Sequence, residues 1–362
     1  MKKVAIVYDR VNKWGGAERV LLALHEIFPD APLYTSVYDS KKAPWAKVFP
    51  EVKTSFLQKF PLASSNHEIL PALMPLVFES FDFSGFDLVI SVTSEAAKGI
   101  ITKPSTRHIC YCLTPTRYLW SHNSLYFQNP ITSFISGPIV NYLKSWDKVA
   151  AWRPDEMIAI STEVKDRIKK YYSRESEIIF PPINTTVIRI NRVKGGKYYM
   201  LVNRLVKYKK VDLAIEVFNK LGLPLVIVGT GREEEKLRRK AKNNIKFVGL
   251  VSEKELVNYY QGAKALIMPQ EEDFGIVAVE AQSSGVPVIA YKKGGVLDTV
   301  IDGKTGILFD QQNVESLTEA IERFEKTNFV VDNLYTNSKR FLRKVFEKRF
   351  LELARLGGNI LK

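Results

Sequence analysis

The chain predicts an α/β fold of two doubly wound, Rossmann-like domains facing a central cleft, and three observations carry that prediction. Short apolar strands alternate with helical segments, the signature of parallel sheets. The alternation runs twice, with a turn-rich stretch between the two series. The length, 362 residues, suits two domains of about 150 residues with real cores.

The first series opens at Val4-Ala5-Ile6-Val7-Tyr8, continues through Leu88-Val89-Ile90-Ser91 and Ile109-Cys110-Tyr111-Cys112, and closes at Met157-Ile158-Ala159-Ile160-Ser161. Phe180-Pro181-Pro182-Ile183-Asn184 then begins a connector that runs to Lys194-Gly195-Gly196-Lys197. The second series comprises Tyr199-Met200-Leu201-Val202, Leu225-Val226-Ile227-Val228, Ile245-Lys246-Phe247-Val248, Ala265-Leu266-Ile267-Met268 and Val286-Pro287-Val288-Ile289-Ala290. These limits give domains at 1–180 and 181–334, followed by a terminal helical segment at 335–362. A ligand is expected in the cleft.

Cys110 and Cys112 are the only cysteines, and alternation along a strand points both to one face, so they read as two buried thiols. The apolar run after Met1-Lys2-Lys3 is too short for a signal peptide, and no run of eighteen apolar residues occurs. The expected location is cytoplasmic, soluble or peripheral to a membrane. The composition, 46% hydrophobic and 25% charged, sets aside disorder and coiled coil. The net charge of +14 admits nucleic acid, an anionic membrane or a phosphate-bearing ligand.

The second series carries the stronger chemistry. Arg204 and Lys209 follow a strand, where a planar guanidinium and a mobile ammonium suit a diphosphate; a solvated basic loop is the alternative. Gly229-Thr230-Gly231 follows another strand and reads as a turn that lets backbone N–H groups approach a ligand. The dinucleotide fingerprint is not met, because Glu234 stands where a third glycine is required. In Glu272-Asp273-Phe274-Gly275-Ile276-Val277-Ala278-Val279-Glu280, two carboxylates eight positions apart bracket a Phe-Gly step. With a helix opening at Gly275, the amides of Gly275, Ile276 and Val277 meet a phosphate while Glu272 and Glu280 bind hydroxyls.

The Glu272…Glu280 pair, with Phe274-Gly275, Gly285-Val286-Pro287-Val288-Ile289 and the upstream Arg204…Lys209, resembles family 4 of the retaining glycosyltransferases, which have the glycosyltransferase B architecture. The resemblance extends to Lys293-Gly294-Gly295-Val296, Asp302-Gly303-Lys304-Thr305-Gly306 and the N-terminal Gly15-Gly16-Ala17-Glu18-Arg19. Pro115-Thr116-Arg117-Tyr118-Leu119-Trp120 and Tyr171-Tyr172-Ser173-Arg174 are similar to the bacterial O-antigen and exopolysaccharide mannosyltransferase branch.

The resemblance implies that Arg204 and Lys209 bind the donor diphosphate, Glu280 the ribose, and that Glu272 approaches the transferred sugar, with Arg204, Lys209 and Glu272 forming the catalytic group. Gly16, Gly229, Gly231, Val251, Phe274, Gly275, Ile276 and Val277 complete the donor side. The implied partners are a nucleoside diphosphate sugar, GDP-mannose as the first choice, and a glycan or lipid-linked acceptor. No Asp-x-Asp occurs, so no metal and no other cofactor is expected. A nucleotide-sugar epimerase or a phosphorylase on the same fold is the alternative, with a nucleic-acid-binding protein third; the expected state is a monomer or weak dimer.

Gly15, Glu18, Thr114, Arg117 and His122 are expected on the acceptor side. Relatives often have a histidine where this chain has Leu113, and His122 is the nearby residue that could stand in for it or be a surface-loop histidine. Two segments suggest a membrane contact. One is the apolar, proline-punctuated stretch between Lys53 and Phe86, which also reads as helices packed on the first sheet. The other is the tail from Tyr335, where eight bases face two acids. With residues 189–210, which hold eight bases and no acid, the tail accounts for the whole charge excess. Relatives carry a terminal helix that crosses back to the first domain, and Phe341, Val345 and Phe350 are spaced to form its inner side.

Overall fold

The computed structural model describes residues 3–60, 71–121, 130–183 and 196–356. It divides into two compact units, Met1–Pro182 with Arg343–Lys362, and Ile183–Leu342. The first holds a seven-stranded parallel sheet built from β1 (Val4–Tyr8), β2 (Leu33–Thr35), β3 (Val52–Thr54), β4 (Leu88–Thr93), β5 (Arg107–Cys112), β6 (Glu156–Ala159) and β7 (Glu177–Ile178). Its order is β3-β2-β1-β4-β5-β6-β7. Its helices are α1 (Gly16–Ile27), α2 (Met74–Glu79), α3 (Arg117–Trp120), α4 (Pro130–Ala150) and α5 (Thr162–Tyr172).

The second unit holds a six-stranded parallel sheet, β8 (Tyr198–Val202), β9 (Leu225–Val228), β10 (Ile245–Gly249), β11 (Ala263–Met268), β12 (Val288–Tyr291) and β13 (Gly306–Phe309), in the order β10-β9-β8-β11-β12-β13. Helices α6 (Val211–Leu221), α7 (Glu234–Lys240), α8 (Glu253–Gly262), α9 (Ile276–Ser283), α10 (Val296–Thr299), α11 (Val314–Glu325) and α12 (Val331–Ser338) accompany it. The chain then returns to the first unit as α13 (Arg343–Leu356).

Local chemistry accounts for these elements. All six residues of β4 are buried, as a parallel strand covered on both faces requires. Helix α6 buries Val211, Ala214, Ile215 and Phe218 at helical spacing and stops at Gly222 in the left-handed region. Ser252 and Glu255 form a reciprocal capping box on α8. Strands β2, β3 and β7 escape the sequence pattern because two or three residues are too few to display a period.

Two expectations are corrected. The chain leaves the second unit at Leu342, not at residue 335, because Leu334, Tyr335 and Phe341 are buried there. The inner side of α13 is accordingly Phe346, Phe350 and Leu353, while Val345 is exposed. Phe346 meets the Tyr111 ring edge-on at 5.8 Å, and Arg107 donates to the carbonyls of Leu353 and Ala354, satisfying the end of α13. In the Lys53–Phe86 segment, Leu57, Met74, Val77 and Phe78 are packed in the first core, as helices laid on the sheet; residues 61–70 lie outside the described ones.

Candidate functional site

Each sheet has one point where the strand order reverses, and ligands of such folds bind there, beyond the carboxyl ends of the strands. It falls between β1 and β4 in the first unit and between β8 and β11 in the second.

At the second switch point the loops after β8 and β11 meet through side chains. Lys209, in the single turn Lys207–Lys209, is buried and pairs with Glu272. Gln270 donates to the same carboxylate oxygen at 2.9 Å and to Asn203 Oδ1 at 3.3 Å. Arg204 is exposed and donates to the Tyr208 hydroxyl at 2.7 Å, which holds its guanidinium at the rim. The structure thus brings Arg204, Lys209 and Glu272 to one edge. Glu272 is followed by Gly275, which caps α9, and Glu280 sits more than one turn into that helix, half-buried. The first amides of α9, including those of Ile276 and Val277, have no intrahelical partner by the geometry of a helix start.

Other assignments change. The Phe274 ring is buried against Phe341, centroids 5.5 Å apart, so only its backbone is available to a ligand. Gly229 and Gly231 serve packing: a Cβ on Gly229 would lie 1.9 Å from the Asn203 carbonyl oxygen and one on Gly231 2.3 Å from that of Leu205. They let the Arg204 loop lie against the end of β9, and the next helix opens with Glu233, Glu234 and Glu235, which disfavour an anion at its start. Val251 is half-buried beside the second core, before the capping box of α8.

Sequence reasoning missed the supports of Glu272. Gln270 is only 2% exposed, and no helical or strand period marks it. In the sequence Gly294 and Gly295 stand only as part of the family resemblance, without a role. A Cβ on Gly294 would fall 2.3 Å from the Glu272 carbonyl oxygen, and the Gly295 N–H donates to that oxygen at 2.8 Å. Gly294 has φ +82°, so this contact demands glycine twice over.

The first switch point is filled by the unit's own carboxylates. Asp9, after β1, accepts from Thr93 Oγ1 at 2.9 Å and from the amides of Ser94, Ala96 and Ala97 at 2.7, 2.9 and 2.8 Å. This cradle of N–H groups, of the kind that binds anions, is occupied from within. Glu95 pairs with Arg10 and accepts from Tyr118 at 3.1 Å. Buried Lys98 pairs with buried Asp147 at 2.5 Å, and Asp147 also accepts from Thr116, Trp120 and Tyr172 at 3.0, 2.7 and 2.7 Å.

Gly15 caps α1 and Gly16 opens it. Glu18 lies beneath this loop rather than on it: buried, it accepts from Tyr8 at 3.1 Å, and burial holds its carboxyl above the usual range. Thr114 is buried at the end of β5, and its hydroxyl has no partner among the described residues. Arg117 begins α3, half-buried. His122 lies outside the described residues. The two cysteines are buried and form no disulfide, and burial pushes the Cys110 thiol up to about 11.

Residues 184–341 match the family model of glycosyl transferases group 1. That match falls within the second unit and takes in less than half of the chain. An uncharacterized glycosyltransferase of Methanocaldococcus jannaschii is 27% identical over 204 residues, 54% of this chain and 57% of that protein. A GDP-mannose-dependent mannosyltransferase of Corynebacterium glutamicum, named for a monoacylated phosphatidylinositol monomannoside, is 38% identical over 108 residues, 27% of this chain and 28% of that protein. The matches therefore span little more than half of the archaeal relative and less of the other. Among solved structures, Anabaena HepE in complex with UDP superposes with a TM-score of 0.73 at 17% identity, covering 97% of this chain and 99% of HepE. The fold is the two-domain glycosyltransferase B architecture.

Proposed function

We propose that the protein is a retaining glycosyltransferase that moves a hexose from a nucleoside diphosphate sugar to a glycan or lipid-linked acceptor in surface polysaccharide synthesis, at the cytoplasmic side of a membrane. The observation that carries this reading is the polar edge of a glycosyl transferases group 1 domain: exposed Arg204, and Lys209 beside Glu272, at the strand-order reversal. Arg204 and Lys209 neutralise the diphosphate, whose negative charge grows as the glycosidic C–O bond breaks. The α9 amides bind phosphate or sugar, Glu280 holds the ribose, and Glu272 orients the hexose. The acceptor oxygen attacks the anomeric carbon from the face the leaving group departs, and the departing phosphate oxygen takes the acceptor's proton.

GDP-mannose is the first donor to test, supported by the Corynebacterium glutamicum relative. UDP-hexoses come second, supported by HepE having been solved with UDP. Epimerase and phosphorylase readings are not favoured. A thermal-shift panel of GDP, UDP and ADP sugars tests the proposal, since a ligand at 100 times its Kd adds about 2.7 kcal/mol to stability. Stabilisation by one nucleotide family, followed by an α-linked product from an α-linked donor, is the expected result; no stabilisation by any of them overturns it.

A further inference from the structure

The outer side of α4 is unusual for a helix at a surface. From residue 138 onward its solvent-facing positions are Pro138, Ile139, Asn141, Tyr142, Ser145, Lys148 and Val149, and Trp152 follows just beyond its end. They recur every three or four residues and so share one face. That face bears no carboxylate. Four of its side chains are large and apolar, with Ile139 44%, Tyr142 55%, Val149 62% and Trp152 60% exposed. A surface helix ordinarily turns its apolar stripe inward only, and α4 already does so with Val140, Leu143 and Ala150.

Lysines line one margin of this stripe. Lys144 and Lys148 lie 5.8 and 5.5 Å over the Trp120 ring. Trp120 stacks on Tyr171 with centroids 5.2 Å apart, and Lys170 lies 5.5 Å over Tyr171. An apolar and aromatic stripe bordered by lysines matches a bilayer interface, where rings sit at headgroup level and ammonium groups meet lipid phosphates.

The two surfaces expected from sequence each lack half of this combination. The Lys53–Phe86 segment buries Leu57, Met74, Val77, Phe78 and Phe83 and exposes Phe56, Phe60 and Leu76, but its lysines are only Lys53, which pairs with Glu51, and Lys59. Helix α13 exposes Lys344, Lys348, Arg349 and Arg355 but, among its described side chains, only Val345 of the large apolar ones. The two helices also cover opposite faces of the first sheet. Trp146 of α4 packs against the core cluster that holds Val89, whose partner in the sheet is His108, whereas α13 packs on Tyr111, three residues further along β5 and so on the other side.

We infer that the outer face of α4 docks on an anionic lipid surface, with Ile139, Tyr142, Val149 and Trp152 in the headgroup layer and Lys144, Lys148 and Lys170 on lipid phosphates. Co-sedimentation of the full chain with phosphatidylcholine vesicles, with and without about one-third phosphatidylglycerol, tests it. Binding only to the anionic vesicles is expected, falling about tenfold or more in Tyr142→Ser/Val149→Ser and losing its dependence on phosphatidylglycerol in Lys144→Gln/Lys148→Gln. Lys344→Gln/Lys348→Gln/Arg349→Gln on α13 is expected to bind like the wild type. Unchanged thermal midpoints establish that the variants are folded. The inference fails if the wild type stays in the supernatant, if Tyr142→Ser/Val149→Ser binds undiminished, or if that variant instead abolishes a dimer seen by sedimentation velocity, which would make a second copy the occupant.

Discussion

The two switch points are built alike and finished differently. In the first unit the edge between β1 and β4 is closed on itself: Asp9 fills the amide cradle at 94–97, and Lys98 and Asp147 neutralise each other under α3. In the second unit the edge between β8 and β11 keeps Arg204 at the rim, and the charge of Lys209 rests on Glu272, itself partly exposed. The same strand topology therefore yields an edge whose carboxylates are satisfied from within in one unit and an edge with an exposed cation in the other. An anion approaching the first edge meets a carboxylate already holding the donors it needs; at the second it meets cations.

Breaking the first edge has the largest expected effect. Lys98→Met leaves Asp147 charged and buried without its cation, which is expected to cost about 3–5 kcal/mol in urea unfolding. Lys98→Met/Asp147→Asn, which removes the buried charge and keeps an acceptor for Thr116, Trp120 and Tyr172, is expected to recover part of that loss; no recovery would show that the pair is more than a self-neutralising support.

A pH titration probes the same unit. Burial pulls His108 from 6.5 down to about 3, and its ring accepts or donates one hydrogen bond to Ser91 at 2.8 Å. The folded state thus refuses a proton that the unfolded chain takes below 6.5, so this contribution to stability is whole above 6.5 and is lost as pH falls towards 3. At about pH 5 the loss is about 2 kcal/mol, and His108→Gln should flatten the slope of stability against pH. An equally steep slope in that variant would point to another group.

At the second edge the expected effect is on binding rather than folding. Arg204→Ala and Glu280→Ala are each expected to weaken nucleoside diphosphate binding tenfold or more, about 1.4 kcal/mol, by calorimetry, while the thermal midpoint of Arg204→Ala barely moves because the side chain is exposed. Undiminished affinity in both would remove the donor assignment from this edge.

The smallest effect sharpens the comparison. Thr114→Val removes a buried hydroxyl without a described partner and should leave stability unchanged or raise it by up to about 1 kcal/mol. Lost transfer with preserved stability would give that hydroxyl to the acceptor, making the first edge a place where one polar group is left open on purpose.

Much of this was legible in the chain. The repeated alternation of strands and helices announced two Rossmann-like units, Arg204 and Lys209 stood out as cations just beyond an apolar strand, and Glu272 and Glu280 as carboxylates eight positions apart around a Phe-Gly step. Gln270 and Asn203 did not stand out, since an amide in a loop has no period, and only the approach of two distant loops makes them partners. The exposed side of α4 was equally silent, because apolar residues on both sides of a helix look the same in sequence as one buried all round.

The sequence by itself determined which residue types end each strand, and with them the charge offered at the two edges, because strand period and local charge are properties of neighbours along the chain. Tertiary structure alone decided which charges neutralise one another, which glycines exist for backbone contact, and which apolar side chains of α4 remain in water. Those outcomes depend on distances between segments tens to hundreds of residues apart, and Coulombic pairing and close packing act on distance in space, not on separation in sequence.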